Sequence, residues 1–214
     1  MPYKDREKQL EYWRKYGEIH KQRKRENNSA RDLNNKRKAF EILGGCRCVV
    51  CGDTDITHLT IDHIDNTGYI DKKKGLMTKS LHVAIIKGEL TEEHLKNLRV
   101  MCFNHNCSRR REYLDLPRSE QTKDQKNASN HWKEAFKFFG PCGCGCGESE
   151  LKFLSISHIH NDGAERRRNG EKTSSRLIRQ FRKMEWPESL KEDYCLECFN
   201  CNCSRANEKK DETT

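Results

Sequence analysis

Apolar residues are scarce in this chain. They make up 33% of its 214 residues against 35% charged, a balance close to that of chains that cannot bury enough apolar surface to offset the entropy of ordering. That excludes one large core as the main source of stability. No stretch approaches the roughly 18–20 apolar residues of a membrane span. Nor does any apolar run near the start resemble a signal peptide, so the expected setting is a reducing, cytoplasm-like compartment with no membrane partner. Proline is rare too, four in all, with none after Pro2 in the first 43 residues. Nothing there forbids a helix.

Against these absences stand twelve cysteines and an excess of positive charge. Domains of roughly 80 residues or fewer commonly need disulfides or a structural metal. The cysteines crowd into four short clusters with histidines nearby, a pattern that favours zinc thiolates over disulfides. Lysine and arginine number 42 against 33 acids, a formal charge of +9, so a polyanion is the expected partner. The charge is concentrated in blocks: "KQRKRE", "NKRK", "SRRRE" and "ERRR".

The phrase "LTIDHIDNTG" at 59–68 returns at 154–163 as "LSISHIHNDG", with six of ten positions identical. The preceding "KAFEILGGC" likewise returns as "EAFKFFGPC" 96 residues on. Cys46, Cys48 and Cys51 then match Cys142, Cys144 and Cys146. His63 matches His158, and Cys102, His105, Asn106 and Cys107 match Cys198, Cys201, Asn202 and Cys203. A repeat this long reads as two copies of one module. The expected organisation is a basic helical arm (1–38), module 1 (39–116), a polar linker (117–133) and module 2 (134–214). In the arm Leu10, Trp13, Tyr16 and Ile19 recur at helical spacing. That stripe, with Tyr12, reads as a packing face or as a platform for stacked bases.

Cys48-x2-Cys51 and Cys102-x2-His105 have the separation at which one turn offers two ligands to a tetrahedral ion. In module 2 the preferred set is Cys142, Cys146, Cys198 and Cys201, because Cys144-x-Cys146 is tight for chelation. Cys144 in place of Cys142, and Cys46 in place of Cys48, stay open. Two structural zinc ions are expected.

With the cysteine pairs, "IDHIDNTG" (61–68) and "NLRVMCFNHN" (97–106) resemble the HNH nucleases, specifically their zinc-scaffolded, endonuclease VII-like branch. The resemblance covers about residues 39–111, recurs imperfectly over 135–207 and leaves the first 38 residues outside it. It implies an α+β fold of small zinc-stabilised ββα-metal modules in tandem. It also implies a metal-dependent endonuclease acting on DNA, with a phage, viral or prokaryotic origin compatible. Asp62 and Asn106 would offer oxygens to one Mg²⁺ or Mn²⁺ ion. His63 would be the general base, and Asn97 would orient its imidazole. Arg109, Arg110 and Arg111, with Arg166, Arg167 and Arg205 in the second copy, would grip phosphates without reading sequence.

Module 2 departs from the motif at its acid. Ser157 stands where Asp62 stands, while His158 and Asn202 are kept. A serine hydroxyl is a weak Mg²⁺ ligand, so module 2 is expected to bind or scaffold while module 1 cuts. A tandem chain can also replace the dimer that single modules form, although the sequence does not fix the oligomeric state. The alternative expectation is a non-catalytic zinc protein that binds DNA or RNA within a larger nucleoprotein assembly.

Overall fold

The computed structural model describes the backbone of residues 6–212 and the side chains of residues 6–205; the remaining terminal residues lie outside the description. The chain opens on a long helix, α1 (Arg6–Ile42), followed by β1 (Leu59–His63), α2 (Gly68–Lys73), α3 (Thr78–Lys87), α4 (Glu92–Lys96), β2 (Leu98–Cys102) and α5 (Phe103–Ser108). A 3-10 turn over Arg109–Leu114 leads to a second series: α6 (Lys123–Phe139), β3 (Leu154–His158), α7 (Gly163–Arg168), α8 (Ser174–Lys183), α9 (Leu190–Asp193), β4 (Tyr194–Cys198) and α10 (Phe199–Glu212). The α-helices and strands of the two series follow the same order. Strands β1 and β2 form one two-stranded sheet, and β3 and β4 form another. β3 runs antiparallel to β4, with Leu154 opposite Cys198 and His158 opposite Tyr194. The fold is thus mixed α+β and rich in short elements, as a chain with little apolar residue to bury requires.

The helix of the arm runs without a break to Ile42, past the expected module boundary at 38/39. Only Ala39 and Phe40 of it are buried. The expected packing stripe is instead exposed: Leu10 by 48%, Trp13 by 56%, Tyr16 by 44% and Ile19 by 60%. Its rings meet each other, Tyr12 stacking on Tyr16 and Trp13 meeting both edge-on. Part of the expected linker is also helix. Thr122 caps α6 by accepting from the Gln125 backbone N–H while the Gln125 side chain accepts from the Thr122 N–H. That reciprocal pair starts the helix at Lys123 despite the polar sequence.

The chain packs as two compact units. One combines α1, the stretch Ile61–Val100 and the end of α10. Its core joins Ala39, Leu81, Ile85 and Leu98, flanked by Leu43, Ile61, Leu76 and Leu95. The C-terminal end of α1 thus packs where α3 turns its apolar face. The other unit combines Arg47–Thr60 with Met101–Ala206. Its core is larger: Trp132 and Ala135 from α6, Leu154 and Ile156 from β3, Leu177, Ile178 and Phe181 from α8, and Tyr194 and Leu196 from β4. On α8 these apolar residues fall at i, i+1 and i+4, with Arg176, Arg179 and Arg182 exposed on the opposite face. Among the described residues no helix is long and apolar enough to cross a membrane.

Candidate functional site

The four donors expected in module 1 converge. Cys48, Cys51, Cys102 and His105 offer atoms that all lie within 4.8 Å of one another. The Cys51 and Cys102 sulfurs are 3.9 Å apart, and His105 Nδ1 is 3.1 Å from Cys102 Sγ and 4.0 Å from Cys48 Sγ. Ligands at zinc bond lengths in a tetrahedron stand about 3.3–3.8 Å apart, so the group fits zinc with shifts of a few tenths of an ångström. Burial pushes the Cys102 thiol up to about 12, which means a thiolate is stable there only beside a cation. Cys48 rather than Cys46 belongs to the group; the Cys46 thiol meets the Arg37 carbonyl.

The module 2 group is Cys142, Cys144, Cys146 and Cys201. Here the reading of Cys144 as a spare thiol is corrected. Its sulfur lies 3.1 Å from that of Cys142 and 3.0 Å from that of Cys201. Cys198, expected as a ligand, is at the edge, 4.0 Å from Cys146. Five thiols therefore share a place for four. Alternate residues of "CGCGC" reach it because the turn closes by hydrogen bonds from Cys142 N–H to the Glu148 carbonyl and from Gly145 N–H to the Cys142 carbonyl.

The two cysteine turns hold each other by matched contacts. Asn104 N–H donates to Asn200 Oδ1 at 2.8 Å, and Asn200 N–H donates to Asn104 Oδ1 at 2.9 Å. The pattern extends outward: Asn200 Nδ2 donates to Asp53 and Asn104 Nδ2 to Glu148. Asn104 and Asn200 occupy equivalent places in the repeat, as do Asp53 and Glu148. Such reciprocity is the mark of a two-fold contact between identical subunits, here made within one chain.

A different cluster forms around His63. Strand β1 buries Asp62, which is 4% exposed, and Arg99 Nε donates to its carboxylate at 2.7 Å. His63 follows at the strand's end. The loop beyond it is pinned by Asp65, whose carboxylate accepts from Thr67 N–H, Thr67 Oγ1 and Asn97 Nδ2. These hydrogen bonds hold Asp65 down to about 2. Asn97 caps the end of α4 and also accepts from Asp65 N–H, so its side chain shapes the loop after the histidine. The loop returns at Gly68, which lies against the imidazole: a Cβ there would stand 2.9 Å from His63 Nδ1.

The other ring nitrogen faces a buried acid. His63 Nε2 lies 2.8 Å from Asp71 Oδ2, and His94 Nε2 lies 2.9 Å from the same oxygen. Asp71, on α2, is 3% exposed. An ionised carboxylate only accepts, so both imidazoles carry their protons on Nε2. That tautomer turns the basic lone pair of His63 to Nδ1, the side on which Gly68 packs against the ring.

Module 2 repeats the histidine and changes its surroundings. Gly163 lies against His158 even more closely than Gly68 does against His63. His158 Nε2 meets Glu171, whose other oxygen accepts from Tyr194 Oη at 2.8 Å. Ser157, in the place of Asp62, accepts from Arg205, which also meets buried Glu197 at 2.7 Å. Asp162 and Asp193 both bind Arg166. Asn202 Nδ2 donates to Ser155.

Of the arginines read as phosphate grips, three are built into the protein. Arg111 lies over the Trp132 and Phe199 rings and donates to the Leu154 carbonyl. Arg166 and Arg205 are held in the internal ion pairs just described. Arg110 and Arg167 are exposed, and Arg109 is half-buried. Asn106 is half-buried on α5, one residue after His105.

Asp71 and His94 escape a reading by repeat, because alignment sets Arg166 opposite Asp71 and Leu190 opposite His94. Their one sequence signal is local. An acid stands alone before "KKK" one turn into α2, and His94 lies three residues before Asn97. No family model, curated protein or solved structure matches the chain.

Proposed function

We propose that the chain is an endonuclease that hydrolyses phosphodiester bonds in DNA, with the working centre around His63. His63 takes a proton from the attacking water at Nδ1, and Asp71 holds the imidazole in the tautomer that permits this. The observation that carries the reading is the buried Asp71 carboxylate 2.8 Å from Nε2, with Gly68 beneath Nδ1. A base needs a fixed orientation, and the contact with Asp71 supplies it. The charge of +9 and the exposed basic face of α1, with Arg23 and Lys24, support a polyanionic substrate. The two cysteine groups act as structural zinc sites that stand in for a larger core.

The catalytic Mg²⁺ or Mn²⁺ ion that the HNH resemblance implies does not fit Asp62 as it is held. Arg99 already compensates that carboxylate at 2.7 Å, so a dication there would share one acid with a guanidinium. The same pairing favours the second reading, a zinc protein that binds nucleic acid without cutting it.

The test is supercoiled plasmid with Mg²⁺ or Mn²⁺, comparing wild type with Asp62→Ala, His63→Ala and His158→Ala. Nicked circles are expected from wild type and His158→Ala, and none from His63→Ala. Equal cutting by all four would remove the assigned centre. Salt-sensitive binding with no cutting by any would establish the second reading.

A further inference from the structure

We propose that His63, Asp71 and His94 form a third divalent-ion site that takes a transition-metal ion such as zinc. The inference goes beyond the nuclease reading and does not need it. Two imidazole nitrogens and one carboxylate oxygen converge within 4.8 Å of one another. Nitrogen donors of this kind select zinc, cobalt or nickel over magnesium. His63 Nε2 and His94 Nε2 stand 2.8 and 2.9 Å from Asp71 Oδ2. Donors at about 2.0–2.2 Å from an ion in a tetrahedron are about 3.3–3.6 Å apart, so each contact needs to open by only about 0.4–0.8 Å.

The donors are firmly placed. They come from three elements, the end of β1, α2 and α4, and Ile61 and Leu95 beside them pack on the core of this unit. Asp71 is buried, while the side chains of His63 and His94 are 13% and 22% exposed. An ion could therefore enter from the histidine side and retain an open coordination position. Module 2 offers no second copy of the site, because Leu190 occupies the place of His94 and Glu171 is shared by His158 and Tyr194.

Occupancy has a chemical consequence. Beside Asp71 the proton of His63 sits on Nε2, and Nδ1 is the basic atom. An ion on Nε2 moves that proton to Nδ1, and the imidazole can then accept no other. Filling the site therefore silences the base. That consequence rests on the nuclease reading, whereas the site itself does not.

The experiment starts from full-length protein carrying two zinc ions per chain by elemental analysis, titrated with Co²⁺. One further ion should bind, with weak visible bands and without the intense near-ultraviolet absorption of a cobalt thiolate. Asp71→Asn and His94→Ala should each lose it. Failure of wild type to bind a third ion, or thiolate absorption from that ion, would overturn the site whether or not the variants fold. Retention of the third ion by a folded His94→Ala protein would do the same. In the plasmid assay, saturation of the third site should slow nicking at least tenfold, and unchanged nicking would overturn the silencing. If no nicking is seen under any condition the nuclease reading fails, and the cobalt stoichiometry still decides the site.

Discussion

Replacing Gly68 by alanine tests how the His63 ring is seated. A Cβ at 68 would lie 2.9 Å from Nδ1 and 3.3 Å from Cε1, about 0.5 Å inside ordinary contact with the nitrogen. The backbone there is not left-handed, so the whole effect falls on the imidazole. A ring displaced by that amount directly away from Asp71 stretches their 2.8 Å contact to at most about 3.3 Å, near the limit of a useful hydrogen bond. A bond to a charged acceptor is worth about 1.5–3 kcal/mol, and 1.36 kcal/mol is tenfold in rate. Gly68→Ala should therefore slow plasmid nicking by up to roughly 10–150-fold when assayed below the melt, because loss of the same bond also lowers the melting temperature. Gly163→Ala is the control. His158 is more deeply buried and its glycine closer, so overpacking should cost about 1–3 kcal/mol of stability with nicking intact below the melt. Wild-type nicking by Gly68→Ala would refute the seating argument. So would equal losses from both variants when both remain folded.

Two further outcomes follow from buried groups. Asn104→Ala orphans the buried Asn200 N–H, at a cost of about 1–3 kcal/mol. Since α5 carries His105 and α10 carries Cys201, both cysteine groups should lose zinc faster to a chelator, and faster loss from only one would count against the reciprocal contact. Burial, with Lys36 nearby, pushes His82 down to about 4 from 6.5. Between those values the unfolded chain binds a proton that the folded chain refuses, so stability falls as pH drops through 6.5 toward 4 and levels off below. His82→Leu should flatten that part of a plot of melting temperature against pH; an unchanged plot would remove His82 as its cause.

The repeat was legible because both of its signals are local in sequence. Donor pairs with two residues between them fix the turns, and a short strand delivers each histidine, so spacing alone recovers Cys48, Cys51, Cys102 and His105 as one group. In "CGCGC" three thiols fall within reach of one point, and only the path of the turn decides that Cys144 joins. The exposed stripe of α1 marks another limit. Helical periodicity predicts a face but not what covers it, and among the described residues Tyr12, Trp13 and Tyr16 cover one another. The block of arginines around Arg111 reads as a phosphate grip. The Arg111 guanidinium instead lies on Trp132 and Phe199, residues 21 and 88 positions away, a separation that no local pattern encodes.

Those limits have a physical source in how the two copies depend on each other. Asn104 and Asn200 each complete the other's backbone hydrogen bonding, so a change at either leaves a buried donor without its acceptor. The contact works only when both copies retain the same residue. The partner of each histidine carries no such requirement. Asp71 answers to His63 and His94 in its own copy, and Glu171 answers to His158 and Tyr194 in the other. An acid from a different position can serve each ring so long as it reaches Nε2. Reciprocity therefore ties the backbones of the two cysteine turns together, while the chemistry beside each histidine is set within its own copy. That is why alignment of the repeats finds the metal-binding turns and passes over Asp71 and His94, the residues that distinguish the first histidine from the second.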